Sequence, residues 1–157
     1  MRELPEGWAI DNLENIVDIL DSQRIPLNST EREARICGKP PDILYPYYGA
    51  TGQVGEIDDF IFDGPLILLG EDGVPFFDTF RDKAYKVTGK CWVNNHAHVI
   101  RPYNNIACLE YILHFLNNFN YTGYVSGSTR LKLTQAAMRS IPTLLPPLNE
   151  QKRALLN

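Results

Sequence analysis

Between Tyr45 and Gly73 the chain reads YPYYGATGQVGEIDDFIFDGPLILLGEDG, and no apolar piece in it outlasts Pro65 to Leu69 before Gly, Asp or Glu intervenes. Such punctuation predicts short strands joined by tight turns, with Leu66 to Leu69 as the best core strand. Further strands are predicted at Val17 to Leu20, at Ala84 to Val87 and at Ala97 to Arg101, the last closed by Pro102. The clearest helix is Cys108 to Asn118, where Leu109, Ile112, Leu113 and Leu116 recur at helical spacing. Thr134 suits the N-cap of a short helix through Arg139, IPTLLPP reads as extended, and Asn149 to Arg153 opens another helix. Near the start, Trp8 is expected to anchor in the core. Asp11 with Glu14 resembles a capping box for a helical face of Leu13, Ile16 and Val17. Ser22 to Pro41 reads as a long loop with a brief helical turn at Glu31 to Arg35.

A chain of 157 residues, 44% of them hydrophobic, suits one domain with a proper core. Its longest apolar stretches, Pro65 to Leu69 and Ile141 to Leu148, fall short of the roughly 18 residues that a membrane span needs. Met1 to Leu20 is studded with acids, unlike a signal peptide, so a soluble, cytoplasmic protein is expected. Cys37, Cys91 and Cys108 lack paired spacing and are expected to be reduced thiols. The triplets Asn28-Ser29-Thr30 and Asn120-Tyr121-Thr122 are then not glycosylation sites.

The net charge of −4 argues mildly against a nucleic-acid partner. Its distribution changes that reading. Residues 1–78 carry 16 acidic and 5 basic side chains, whereas residues 79–140 carry 8 basic and 2 acidic ones. Folding can interleave the two parts and average the asymmetry out.

Several patterns invite a chemical reading. Gly49, Gly52 and Gly55 are evenly spaced, but no long helix opens behind them, as a nucleotide loop requires. They are expected in hairpin turns at positive φ, presenting Tyr48, Thr51 and Gln53 outward. His96 and His98 would share one face of a strand, with Cys91 as a third metal ligand; no fourth ligand is evident. The alternative is one histidine in the core and one near a loop. No Gly-x-Ser-x-Gly elbow, paired carboxylates or methyltransferase-like aromatic tetrapeptide supports catalysis. Hydroxyl and basic groups accumulate at Ser126, Ser128, Thr129, Arg130 and Lys132, with Arg81, Lys83, Lys86 and Lys90 elsewhere. Such groups hold phosphates and read base edges, although an ordinary solvated basic face has the same composition.

Seven strings carry a family resemblance in order: LPEGW at 4–8, YPYYGATGQVGEID at 45–58, FDGPLILLGEDG at 62–73, TGKCWVNNHAHVIRP at 88–102, YILHFLN at 111–117, GSTRLKLT at 127–134 and IPTLLPPLNEQKR at 141–153. Together they span nearly the whole chain. On these strings the chain resembles the target-recognition domains of Type I restriction-modification specificity subunits and their Type IIB-like relatives.

The resemblance implies an α/β (α+β) domain with a curved, mostly antiparallel sheet and peripheral helices, occupying residues 1–147. Residues 148–157 would then be the truncated start of a coiled-coil spacer helix. It implies a non-catalytic module that reads one half of a bipartite double-stranded DNA target. The full subunit would hold a second target-recognition domain and assemble with methyltransferase and restriction subunits. No cofactor is expected in this chain; S-adenosylmethionine, ATP and Mg would be bound by the partner subunits. Thr51, Gln53, Ser128, Thr129, Arg130 and Lys132 are carried over as DNA-facing framework positions. Asn94, Asn95 and His96 are expected to stabilise a turn. Base readers are expected between the shared strings, at Phe77, Thr79, Arg81, Lys83 and Lys86, with Arg24, Arg32 and Arg35 as further candidates. A competing reading is a module that docks a methyltransferase without reading bases, and a third is a small metalloenzyme on His96, His98 and Cys91.

Overall fold

The computed structural model describes residues 3–156. Met1, Arg2 and Asn157, the outermost residues of the expected domain and spacer helix, lie outside the described residues. In chain order the elements are β1 (Ala9–Asn12), β2 (Val17–Ile19), α1 (Ser29–Ile36), β3 (Tyr45–Tyr48), β4 (Gln53–Ile57), β5 (Phe62–Asp63), β6 (Leu66–Gly70), β7 (Ala84–Val87), β8 (Lys90–Val93), β9 (Ala97–Pro102), α2 (Leu109–Asn118), α3 (Gln135–Arg139), β10 (Pro142–Leu145) and α4 (Leu148–Ala154). The mixed content and mostly antiparallel pairing match the expected class. The strands are divided among two four-stranded sheets and a β1–β10 ribbon, not gathered into one curved sheet.

The first sheet has the order β2-β9-β6-β7 and is antiparallel throughout. Its central strand β6 is buried at every residue. Alternation along the strand sends Ile67 and Leu69 into the larger core, with Ile100, Ile112, Leu116 and Tyr121. Leu66 and Leu68 enter a second core, with Val87, Cys91, Val93 and Val99. One apolar strand thus forms a wall common to both cores. Each of its four large side chains contributes about 1.5–3 kcal/mol of burial.

The second sheet has the order β4-β3-β8-β5, with β3 and β8 parallel. Strand β8 was not expected from the sequence: between Gly89 and Asn94 only KCWV separates two turns. Its Cys91, Trp92 and Val93 are nevertheless buried. Burial pushes the Cys91 thiol up to about 11, so it is an inert core thiol.

The N-terminal expectations need correction. Residues 9–12 pair with β10 as a strand, and Leu13–Asn15 form one 3-10 turn without a side-chain cap. Asp11 accepts instead from the Asn12 amide and the Asn15 side chain, so its carboxylate does not cap a helix. The capping box belongs to α1, where Asn28 accepts from Glu31 N at 2.7 Å and Glu31 reaches back to Asn28 N. Trp8 is half-buried and donates through Nε1 to Glu150 at 2.8 Å, tying the chain start to α4.

Helix α4 is seated by Gln151, which is fully buried. Its Oε1 accepts from Cys108 N at the start of α2, and its Nε2 donates to the carbonyls of Ile106 and Pro146. One amide thereby satisfies an orphan donor at the start of α2 and two carbonyls of the segments that lead into α2 and α4.

Candidate nucleic-acid interface

Loops from distant parts of the chain meet at the C-terminal end of β6. The first is the β6–β7 connection, residues 71–83. The second is a hairpin in which Ser126 and Lys132 exchange backbone hydrogen bonds of 3.0 and 2.8 Å, enclosing Ser128, Thr129 and Arg130. Gly127 closes it at φ +103, with the Arg130 carbonyl where a Cβ would stand, so only glycine fits. Gly73 N donates to Leu131 O and Leu133 N to Glu71 O, fastening hairpin to connection.

Asp72 organises the junction. Its Oδ1 accepts from Arg130 at 3.0 Å and faces His96 Nδ1 at 2.8 Å. His96 belongs to the turn before β9, where Asn94 Oδ1 accepts from His96 N at 2.8 Å, the expected turn-stabilising bond. The loop after β3 completes this end, with Asn94 N donating to Tyr48 O and Tyr85 donating its hydroxyl proton to Gly49 O. Thr51 and Gln53 are exposed there; Gln53 also donates to Gly55 O. Tyr48 departs from expectation, being half-buried against Tyr85 with ring centroids 5.9 Å apart. Of the three evenly spaced glycines, only Gly52 has positive φ.

The expected DNA-facing residues separate into two groups. Arg81 lines a cleft of about 480 Å3 with Gly73, Val74, Pro75, Ser128, Thr129, Arg130 and Leu131. It makes no ion pair among the described residues. Phe77 and Thr79 line a neighbouring cleft of about 450 Å3 with Phe119 and the amides of Asn117, Asn118 and Asn120. Lys132 is exposed on the hairpin. These residues, drawn from between Gly73 and Lys132, line two clefts and the hairpin.

The remaining candidates are engaged by other groups of the fold. Lys83 is only 3% exposed and donates through Nζ to Asp78 O at 2.6 Å, which removes it from the base-reading set. Arg24 donates to the carbonyls of Asp21, Asn95 and Ala97. The Arg32 guanidinium lies 5.1 Å over the Tyr47 ring, against Gly55, where any side chain would displace it. Arg35 lies 5.0 Å over Trp92 and binds Asp58 at 2.7 Å. Helix α1 buries no residue of its own, and these two stems attach it to the second sheet. The Lys39 hydrogen bond to Asp58 outweighs desolvation and, with Arg35, holds that carboxyl below its usual range. Lys86 pairs with Glu110 at 2.7 Å and lowers its pKa.

The metal reading on His96, His98 and Cys91 is overturned by placement. Cys91 is buried in the second core, and His96 is held by Asp72. His98 is buried, its Nδ1 facing Asp21 Oδ2 and its Nε2 facing Leu133 O, both at 2.7 Å. Asp21, Glu71 and His98 lie close enough to suggest a ligand set, but both imidazole nitrogens already have protein partners. The sequence reading missed Asp72 and Asp21, whose partners lie 58 and 77 positions away along the chain.

The chain belongs to the family of Type I restriction modification DNA specificity domains, whose family model matches residues 5–155. Over 153 residues it is 29% identical to the putative type I restriction enzyme specificity subunit S.HindORF215P of Haemophilus influenzae. That match takes in 96% of this chain and 37% of the relative. The fold is similar to the HsdS subunit of Thermoanaerobacter tengcongensis, at TM-score 0.60 and 16% identity over 99% of this chain and 37% of that one. It is likewise similar to the S subunit of a Type-I restriction-modification system of M. genitalium, at TM-score 0.63 and 12% identity over 97% of this chain and 38% of that one. The chain spans little more than a third of the length of these relatives. No helix among the described residues is long and apolar enough to cross a membrane.

Proposed function

We propose that this domain reads the sequence of double-stranded DNA, as one half of a bipartite reader, and contributes no catalysis of its own. The observation that carries the reading is the cleft shared by Arg81 with Ser128, Thr129 and Arg130, in a member of the DNA specificity domain family. Hydroxyls, backbone amides and cations on a rigid hairpin hold phosphates, whereas an unpaired guanidinium beside them reaches base edges. Ser128, Thr129, Arg130 and Lys132 form the phosphate-facing framework, with Thr51 and Gln53 at its edge. Arg81, Thr79 and Phe77 are the base readers. Lys83, Lys86, Arg24, Arg32 and Arg35 are left out, since each is engaged within the fold.

In the assembled system, adenine methylation and restriction belong to partner methyltransferase and restriction subunits, which hold S-adenosylmethionine, ATP and Mg. A second target-recognition domain reads the other half-site, and α4 opens the spacer helix leading toward it. The working compartment is the cytoplasm.

Selection from a random duplex library by the complex that carries this domain tests the reading, followed by affinity across a salt series. A defined half-site is expected, with log affinity falling by about 0.9 per neutralised phosphate for each log unit of salt. No sequence preference together with a flat salt response would indicate a docking module instead.

A further inference from the structure

Phe80 is 96% exposed, the most exposed large apolar side chain among the described residues. It sits in the segment VPFFDTFRDK, whose Val74 and Phe76 are buried at 3% and 2%. The segment thus sends two apolar groups inward, leaves Phe77 partly exposed and holds Phe80 almost wholly in water, where it forgoes the stabilisation that burying an aromatic ring brings.

The exposure is built by the backbone. Asp78 Oδ1 accepts from Phe80 N at 2.9 Å, and Asp78 O accepts from Arg81 N at 3.2 Å and from the buried Lys83 Nζ at 2.6 Å. Below the turn, Lys83 N donates to Asn117 on α2 at 2.7 Å, and Asp78 N donates to Pro75 O. The backbone of the turn is therefore fixed before binding, which leaves only the ring's own side-chain rotations to be ordered. Arg81, the next residue in the chain, lines the cleft with Ser128, Thr129 and Arg130.

Resting on the DNA-reading assignment, we propose that Phe80 is a wedge that enters the base stack of the recognised duplex and unstacks one base step, with Arg81 engaging the adjoining nucleotide. Apolar side chains placed between base steps open and kink a duplex, and an aromatic face stacks on any base. An exposed ring one residue along the chain from the Arg81 guanidinium would pair an apolar insertion with an anion-binding cleft.

The test uses the complex containing the full protein and its selected duplex, with 2-aminopurine placed in turn at each adenine in and beside the half-site. Binding of the unaltered protein should raise fluorescence at one step. Phe80→Ala should abolish that rise and weaken binding roughly tenfold, whereas Phe80→Trp should retain both. Because the ring lies in solvent, thermal unfolding should be the same for all three proteins. Selective binding with no rise at any position overturns the wedge and leaves the reading of DNA intact. A rise that persists in Phe80→Ala also overturns it. A loss of affinity in Phe80→Ala that vanishes when one thymine is replaced by uracil assigns the ring to a thymine methyl and overturns insertion. Unchanged DNA binding with impaired subunit assembly overturns it in favour of a protein contact. Failure of the unaltered complex to select any duplex removes both readings.

Discussion

Asp21 Oδ2 lies 2.7 Å from His98 Nδ1, with both side chains closed off from water, and the pair joins the segment after β2 to the start of β9. Asp21 also accepts from Val99 N at 2.8 Å and Gln135 Nε2 at 3.1 Å, while His98 Nε2 faces Leu133 O. The network holds the chain running from the hairpin into α3 against the first sheet, so it sets the position of the cleft. Truncating one partner strands the other in the core. His98→Ala is expected to lower stability by about 3–5 kcal/mol, measured as the free energy of urea unfolding. A loss below roughly 1 kcal/mol would show that the pair is not the anchor described.

The same site sets an acid response. Burial works against ionisation of Asp21, but hydrogen bonds from His98, Val99 and Gln135 outweigh it and hold the carboxyl below its usual range. A carboxyl whose pKa is lower in the folded than in the unfolded state stabilises the fold above its unfolded value of about 3.9. That contribution is lost as pH falls through the folded value. The urea midpoint should drop more steeply below about pH 4 in the unaltered protein than in Asp21→Asn. Parallel curves would contradict the assignment.

Lys83 and Arg81 are close in sequence and should behave in opposite ways. Lys83→Ala leaves the Asp78 carbonyl without its buried donor and should cost about 1–3 kcal/mol of stability. The recognised bases should stay the same, with affinity falling only because the turn loosens. Unfolding and library selection on one preparation check both halves.

Arg81→Ala should relax selectivity at one base pair, corresponding to about 1–3 kcal/mol of lost discrimination. Arg130→Ala should instead weaken all duplexes alike and reduce the magnitude of the salt slope by about 0.9. If the two variants exchange these signatures, the division between phosphate and base contacts proposed above is reversed.

Asp72 restrains Arg130 and offsets its charge near the cleft. In Asp72→Asn, affinity for random duplex at low salt should rise while preference for the selected half-site falls, because the guanidinium is freer and the local potential more positive. Stability should change by less than about 1 kcal/mol, since Arg130 is largely exposed. Competition binding with random and selected duplexes reads the outcome.

Short-range order was legible from residue types. The apolar run Leu66 to Leu69, the spacing along α2 and the Thr134 cap all act within a few residues, and the structure places strand, helix and cap there. Capping at Asp11 and Glu14 was misread because the same box chemistry stands at Asn28 and Glu31, and the pairing of β1 with β10 decided between them. The ordered strings made the family legible and marked GSTR as a stretch of interest, but not its hairpin. They were silent on which cations remain free. Arg32, Arg35 and Lys83 look like Arg81 in one dimension, since a charged side chain is drawn inward only by partners that folding brings to it: an aromatic face, a carboxylate or a carbonyl. Residue chemistry alone determined the core strand at Leu66 to Leu69, the main helix and the family; only the tertiary contacts decided that Arg81 makes no ion pair among the described residues, because that depends on side chains far apart along the chain meeting in space.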